Sequence, residues 1–435
     1  MFGYYMDLAL RSLRRSPILT ALMVLAIGLG IGASMTMLTV LHVMDGDPLP
    51  GRSAHLYRPY LDPLPLDFKP STFGPDPSIN LTWPDAMALL AAHRGVHQAA
   101  MAGGGLEAHS SLAGVSPEDV DGRYTTRDFF AMFGVPFLQG QAWTTADDDG
   151  RARVVVLTQS LAHRLFGDKA AVGQSANLGG HDLQVVGVVA DWHPRPLFYA
   201  QADERKFSAM DQFFLPLSTA VDLKLDVHMT SGWGKDDATL LTSSTVSWLE
   251  FWVQLDTPAQ VAGYRRFLFD YAAQQKSLGR YERTPAEAKL YGLMAWLDHQ
   301  HLVPGDVRLQ AWLALGFLFV CMVNIVALLL AKFLRRAGEI SVRRALGARR
   351  GSIFMQFGIE SALIGLAGGA LGLGLAEIGL WSVRQRPDDY AHLAQMDGWM
   401  LLGTFALALL ASVMAGLLPA WRACRIAPAL QLKVL

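Results

Sequence analysis

The chain has long apolar runs near its two ends and a middle of ordinary polarity. The apolar runs are residues 17–43, 309–331, 353–383 and 400–418. A helix needs about 20 apolar residues to cross a bilayer core, whereas a signal peptide has an apolar core of only about 7–15 residues. The pattern therefore predicts four transmembrane helices, the first of them retained, with a large mixed α/β domain inserted between helices 1 and 2.

Small residues indicate where these helices approach one another. The four-residue spacing joins Gly28 to Gly32, Gly365 to Gly369 and Gly368 to Gly372. Glycine costs about 1 kcal/mol in an ordinary helix, but membrane helices use this spacing for close contact. We expect all three pairs to serve helix packing, and the pair in the first helix to join two copies of the chain.

The basic residues predict the orientation. They concentrate before residue 17, between residues 332 and 352 and after residue 419, whereas residues 384–399 hold two Arg against three Asp. Because short basic flanks stay in the cytoplasm, both termini are expected there. The predicted order is a cytoplasmic flank 1–16, span 17–43, outside domain 44–307, span 309–331, cytoplasmic loop 332–352, span 353–383, outer loop 384–399, span 400–418 and cytoplasmic tail 419–435.

The outside domain has short segments typical of strands and helices in turn. Strands are predicted at Val154–Leu157, Leu183–Ala190 and Ser243–Leu255, helices at Thr158–Phe166 and Thr257–Gln275, and loops at 61–80 and 229–237. Thr257 is suited to cap the second helix, and Gly167 to end the first. The domain is therefore expected to be mixed α/β.

Composition restricts the chemistry. The net charge of −1 gives no reason to expect nucleic-acid binding. The two cysteines, Cys321 and Cys424, lie outside the domain 44–307, which therefore forms no internal disulfide. The chain contains no GxxxxGK[ST] phosphate loop. Neither catalytic residues nor a cofactor is therefore expected in this chain.

Three polar groups have residue types that can bind a metal ion. His93 and His97 are four residues apart and could share a helix face, but they lack a third ligand. Asp298, His299, His301 and Asp306 are better explained as a solvated linker beside the membrane. Residues 147–149 resemble the start of a calcium loop without its later ligands, so a turn is predicted. No metal site is expected.

Polar residues within the spans are functional candidates. Glu360 lies about 10 Å into the third span at about 1.5 Å per residue, close enough to the cytoplasmic edge to meet a basic residue. Glu377 lies near the outer end, and Asn324 is expected to form a hydrogen bond between helices. For both glutamates, an interfacial carboxylate that faces a partner and never contacts substrate is favoured over a place on a substrate path.

The loop between the second and third spans combines charge with a short apolar helix. Ile340 to Leu346 forms two predicted helical turns, and Gly347 suits a helix C-terminus. A positive-inside loop explains the basic residues but not the interleaved apolar ones. The pattern favours a helix that docks in a groove of a cytosolic partner.

Residues 324–376 resemble the signature region of the MacB/FtsX-type permeases of ABC transporters. The matching positions are Glu339, Arg343, Arg344, Ala345, Leu346, Gly347, Ala348, Glu360 and Ser361. The tail LPAWRACRIAP at 418–428 resembles the closing pattern of this family. In the outside domain, DFFAMFGVPFLQG at 128–140 and VVVLTQSLAHRLFG at 154–167 also resemble family segments. Residues 195–242 match no pattern and are expected to determine specificity.

The resemblance implies a mechanism. The ATPase is expected on a separate polypeptide, which binds ATP and Mg²⁺ and grips a coupling helix. In this chain the coupling residues would be Glu339, Ile340, Val342, Arg343, Arg344, Ala345, Leu346, Gly347 and Ala348. Two permeases, identical or different, would pair in the bacterial inner membrane, and closure of the ATPases would move the periplasmic domains.

The function expected first is export from the periplasm, with a periplasmic adaptor and an outer-membrane channel as further partners. Two alternatives remain open at this stage: regulation of a cell-wall hydrolase and extraction of lipoproteins from the membrane. An independent membrane enzyme is the least favoured, because the sequence contains no recognisable nucleophile or acid–base pair.

Overall fold

The computed structural model describes residues 2–69, 80–112, 114–200, 207, 210–234, 240–303, 305–335, 342, 350–386, 393–395 and 398–425. The chain divides into two compact units. The helical unit comprises Met1–Asp45 and Val303–Leu435, and the outer unit comprises Gly46–Leu302.

The helices are numbered along the chain. They are α1 (Phe2–Arg15), α2 (Pro17–Met44), α3 (Trp83–Ala91), α4 (Asp128–Phe133), α5 (Thr145–Asp149), α6 (Gln159–Phe166), α7 (Leu217–Asp222), α8 (Pro258–Ser277), α9 (Leu293–His299), α10 (Gly305–Arg335), α11 (Arg350–Arg384) and α12 (Gly398–Arg425).

Three of the predicted spans form helices long and apolar enough to cross a membrane: Pro17–Met44, Gly305–Lys332 and Gly351–Arg384. The apolar part of α12 within the described residues is shorter, Gly398–Met414. Pro419 does not end α12 as the sequence suggested, because the helix continues to Arg425. A proline removes one backbone N–H, and in membrane helices neighbouring groups can compensate for that loss.

Sequence patterning did not predict α1, whose residues were assigned to a plain cytoplasmic flank. Its polar and apolar residues segregate on two faces: Ala9 and Ser12 are buried, whereas Arg11, Arg14 and Arg15 are exposed. Such amphipathic helices bury one face against a neighbour. Here the neighbour is α11.

The outer unit is built on one mixed sheet. Its strands are β1 (Leu56–Tyr60), β2 (Leu81–Thr82), β3 (His97–His109), β4 (Glu118–Thr125), β5 (Phe137–Gly140), β6 (Val154–Thr158), β7 (Ser175–Leu178), β8 (His181–Val189), β9 (Phe213–Pro216), β10 (Ser231–Gly232), β11 (Val246–Gln254) and β12 (Lys289–Gly292). The order across the sheet is β12-β1-β11-β3-β4-β9-β6-β8-β5, with β2 and β10 on β11 and with β7 bridging β3 and β8. Most neighbours are antiparallel, but β4 with β9 and β6 with β8 are parallel.

Both faces of this sheet are covered. Along β3, Ala100 and Ala102 belong to one buried cluster, whereas Ala99 and Met101 belong to another. Successive strand side chains point to opposite faces, so the alternation places one cluster on each side. The predicted mixed α/β domain is thereby confirmed.

Helix caps and strands in the outer unit were predicted correctly where they depend on residues close together in the sequence. Thr257 caps α8 in a reciprocal pair with Gln260. Thr158 caps α6, and Gly167 follows it at φ +65°, a conformation that favours glycine. The strands predicted at residues 154–157, 183–190 and 243–255 are confirmed as β6, β8 and β11.

Other predictions for this unit were wrong. Residues 147–149 belong to the helix α5, because Thr144 and Asp147 cap each other reciprocally. The segment 229–237, predicted as loop, contains β10, which pairs with β11. His93 and His97, from which no metal site was predicted, lie on different elements: α3 ends at Ala91, and His97 begins β3.

Candidate functional site

Two buried charges meet where α10 and α11 flank the segment 336–349. Lys332 and Glu360 have relative exposures of 3% and 0%. Their Nζ and Oε1 atoms are 2.5 Å apart. An unpaired charge in the apolar part of a membrane is costly. Each group can therefore be buried because the other neutralises its charge. The sequence prediction that Glu360 meets a basic residue is confirmed.

The N-terminal helix contributes a third group to this cluster. Ser12 of α1 donates a hydrogen bond from Oγ to Glu360 Oε1 at 2.6 Å. Ser361, the next residue along α11, is also buried, and its carbonyl accepts a hydrogen bond from Ser412 Oγ of α12. Polar contacts at this level therefore connect α11 with α1, α10 and α12.

The coupling residues predicted in the intervening segment can be located only in part. Val342 is helical, and its side chain is 55% exposed. Glu339, Ile340, Arg343, Arg344, Ala345, Leu346, Gly347 and Ala348 lie outside the described residues. The described geometry therefore covers the two helices that flank the loop and one residue within it.

Glycines hold α2 and α11 in close contact. A Cβ at Gly368 would lie 2.5 Å from Ile27, and one at Gly28 would lie 2.8 Å from Leu371. At Gly32 a Cβ would lie 2.8 Å from Leu375, and at Gly372 it would lie 3.0 Å from Ile31. Because these distances leave no space for a side chain, the two helices can approach this closely only through glycine.

Two further glycines of the predicted set lie on the same helix α11. A Cβ at Gly365 would lie 2.5 Å from Ser412 of α12. Gly369 is buried. The helix-packing role of these glycines agrees with the contacts in the helical unit.

Gly28 and Gly32 contact α11 within one chain, so the structure gives them no free surface for joining two copies. The face of α2 that remains exposed is formed by Ile18, Leu22, Leu25 and Leu29, which are 48 to 78% exposed. Their spacing of three and four residues places them along one side of the helix. Contact between copies through α2 would use this side.

The other two intramembrane polar residues occupy exposed positions. Glu377 Oε1 lies 2.5 Å from Arg384 Nη2 on the same helix. Asn324 is exposed on α10, away from the buried Leu318, Ile325 and Leu329. Among the described residues Asn324 forms no hydrogen bond to another helix, and its side chain is exposed on α10.

The outer unit contains a buried charged network that sequence reasoning missed. Arg123 on β4 contacts Asp211 at 2.8 Å and Glu250 of β11 at 3.4 Å. Arg58 on β1 donates to Asn80 at 2.9 Å, and its guanidinium lies 4.4 Å from the centre of the Trp296 ring. Each charge is paired or stacked, as burial requires.

Burial shifts the pKa values in this network. It raises the pKa of Glu250 to about 7, against the opposing effect of Arg123 and Arg58. Burial lowers the pKa of Arg58 to about 10. For Arg123, burial acts to lower the pKa, but Asp211 and Glu250 outweigh it and the net pKa is raised.

Part of the segment 195–242 belongs to the core. Leu197, Phe198 and Tyr199 are buried, and Tyr199 stacks on Trp192 with ring centres 5.7 Å apart. Trp248 is buried and stacks on Trp83. These aromatic residues pack the domain, and the specificity role predicted for residues 195–242 stays a prediction.

Comparison with known proteins identifies the family. Residues 20–266 match the MacB-like periplasmic core domain, and residues 312–428 match the FtsX-like permease C-terminal domain. The first match alone spans more than half of the chain.

Among curated relatives, a macrolide export ATP-binding/permease protein MacB of Rhodospirillum rubrum is 27% identical over 451 residues, covering 99% of this chain and 60% of that protein. The protein of the same name in Salmonella typhi is 26% identical over 304 residues, covering 68% of this chain and 40% of that protein. The chain thus spans 40 to 60% of the length of these two relatives.

A solved structure of the periplasmic region of MacB from Actinobacillus actinomycetemcomitans aligns at 14% identity with a TM-score of 0.36, covering 56% of this chain and 92% of that one. The two domain matches determine the assignment. The chain belongs to the MacB/FtsX-type family of ABC transporter permeases.

Proposed function

We propose that this chain is the permease of an exporter in which an ATPase on the cytoplasmic side moves the periplasmic outer unit. The observation that carries the proposal is the Lys332–Glu360–Ser12 cluster. It connects both helices that flank the proposed coupling segment, together with α1. A displacement of the segment 336–349 would therefore act on these helices together rather than on one alone.

The close packing of the helices supports transmission of that displacement along the membrane normal. The contacts of Gly28, Gly32, Gly368 and Gly372 interlock α2 with α11. The chain runs from the end of α2 directly into the outer unit and returns from it into α10. Close-packed interiors transmit strain rather than absorb it. We therefore propose that α2 and α10 transmit the displacement to the outer unit.

The distribution of buried charge supports movement of the outer unit over passage through the helices. In the described part of the helical unit, the buried charged side chains are Lys332 and Glu360, and they neutralise each other. A path for a charged cargo through the described helices of one chain would need further charged groups lining it. Export by motion of the periplasmic unit requires no such path.

The partners and the orientation follow from the same proposal. The ATPase binds ATP and Mg²⁺ and contacts the segment that includes Val342 and Leu346. Both termini are cytoplasmic, α12 completes a fourth span, and a second permease pairs through the exposed side of α2. An adaptor and an outer-membrane channel would receive the cargo.

The test is co-purification with the ATPase. Leu346→Asp should abolish co-purification while membrane insertion is retained, because a short docked helix cannot readily bury an unpaired carboxylate. Leu278→Asp is the matched control, since Leu278 is 69% exposed in the outer unit. A Leu346→Asp variant that keeps its ATPase and full ATP turnover would disprove the coupling role of this segment.

A further inference from the structure

The outer unit contains a cavity of about 540 Å³ beside α3. Its apolar wall includes Trp83, Met87 and Leu90 of this helix, together with Leu217 at the start of α7. Trp83, Met87 and Leu90 pack against the buried core on one side and remain partly exposed on the other. A cavity of this size with one aromatic and several aliphatic walls suits a small organic molecule.

Carboxylates line another part of the same cavity. Asp128, Asp148 and Asp149 are among its lining residues, together with the basic residues Arg127 and His93. Arg127 Nη1 donates to Thr145 Oγ1 at 2.8 Å. His97 Nδ1 lies 3.4 Å from Asp128 Oδ2. The three carboxylates outnumber the guanidinium, so this side of the cavity favours a cation.

Asp148 is held in place by its neighbours. Its Oδ1 accepts a hydrogen bond from Trp143 Nε1 at 2.7 Å, and its Oδ2 accepts one from the Arg127 backbone N–H at 3.0 Å. Burial raises its pKa to about 6, in spite of these hydrogen bonds. The carboxylate is thus fixed in position and partly removed from water, which strengthens its attraction for a cation.

Two further polar atoms of the cavity wall have no hydrogen-bond partner among the residues that the structure describes. Gln98 is 6% exposed, and its Nε2 donates to the carbonyls of Leu89 and Leu90 at 3.3 and 3.2 Å. Its Oε1 accepts no hydrogen bond from the described residues, and Thr126 Oγ1 has no partner among them either. Buried polar groups nearly always have partners. A ligand that donates hydrogen bonds would supply them.

We propose that this cavity binds a small molecule with a protonated amine and an apolar body. The ammonium group lies at the carboxylates and within reach of Gln98, and the apolar body packs against Trp83, Met87 and Leu90. An ammonium group matches the site because it is a cation with several N–H donors. The site goes beyond the transport proposal and does not rest on it, since binding requires no ATPase.

The experiment uses the purified full chain in a neutral detergent and three probes that share one apolar body. Equilibrium dialysis measures binding of 4-phenylbutylamine, 4-phenylbutanol and 4-phenylbutyrate, each against a detergent blank. The amine should bind saturably and at least tenfold more tightly than the alcohol, and the carboxylate should not bind. Equal binding of amine and alcohol, or no saturable binding of the amine, would overturn the proposal.

Variants locate the binding. Asp128→Asn combined with Asp149→Asn should weaken amine binding at least fivefold, whereas Asp119→Asn, an exposed carboxylate on β4, should leave it unchanged. Leu90→Trp should fill the cavity and abolish binding. The paired Asn variant keeps the side-chain shapes, so the test stands even if Leu90→Trp fails to fold. Amine binding that survives in the paired variant would place the amine elsewhere and overturn the proposal.

Discussion

At the residue scale, buried charges in both units are stabilised by specific partners. Lys332 and Glu360 form the pair in the helical unit, and Arg123 lies between Asp211 and Glu250 in the outer unit. The sequence indicated Glu360, because a carboxylate within an apolar run stands out. It did not indicate the Arg123 network, because the partners are 88 and 127 positions away and only the fold brings them together.

The first prediction concerns the Lys332–Glu360 pair. Glu360→Ala should destabilise the helical unit by about 3–5 kcal/mol, because removal of one partner leaves the other charge buried and unpaired. The exchange of both residues, Lys332→Glu with Glu360→Lys, should restore most of the loss. Thermal unfolding of the purified variants measures the effect.

The matched control is Glu377→Ala, whose pair with Arg384 is exposed and should contribute less than about 1 kcal/mol. Equal stability of Glu360→Ala and the parent chain would contradict the assigned role of the buried pair.

Glu250 provides a pH prediction. Its folded-state pKa of about 7 lies above its ordinary value of 4.5, so the folded protein binds more protons than the unfolded chain between these values. Its contribution to stability therefore falls as pH rises from about 4.5 to 7. At about 1.4 kcal/mol per pKa unit, the change is at most about 3.5 kcal/mol.

The comparison with Glu250→Gln isolates this effect, because the amide does not titrate. Relative to this variant, the parent chain should lose stability between pH 5 and pH 8, as measured by tryptophan fluorescence during thermal unfolding. A difference between the two proteins that stays constant with pH would show that Glu250 titrates in its ordinary range.

At the element scale, capping and helix spacing were predictable, but the helix neighbours were not. Thr257 and Gly167 act within a few residues of the chain, so their roles follow from local sequence. The spacing of Gly28 and Gly32 indicates a close contact but not its partner, and the structure assigns that contact to α11. The interhelical hydrogen bond expected of Asn324 stays a prediction, because local sequence does not show which helix would face it.

The glycine contacts lead to a prediction with an internal control. Gly368→Leu should destabilise the helical unit, because its Cβ would lie 2.5 Å from the branched side chain of Ile27 and would force α2 away from α11. Gly374→Leu on the same helix should be nearly neutral, since its Cβ would have open space. Similar unfolding temperatures for the two variants would show that the contact between α2 and α11 does not need glycine at 368.

At the scale of the whole molecule, the family and the mixed α/β domain were predictable from the sequence. Apolar runs and the order of motifs can be recognised in the sequence without knowing which residues are in contact. The sheet order was not, because β11, near the end of the outer unit, lies between β1 and β3. The candidate cavity was not predictable from the sequence either, because its walls come from separate segments between residues 83 and 218 that share no sequence pattern.

The central claim is that ATP acts on the outer unit through the helices. Its most direct test is the distance between two spin labels on one chain, one at Leu278→Cys in the outer unit and one at Trp381→Cys on α11, after both native cysteines are replaced. These labelled positions are 69% and 58% exposed. The distance is measured in the complex with the ATPase, without nucleotide and with ATP and vanadate.

The account predicts a shift of the distance distribution on nucleotide binding, and a loss of that shift in Glu360→Ala while the ATPase remains bound. An unchanged distribution in a complex that hydrolyses ATP at its normal rate would contradict the account.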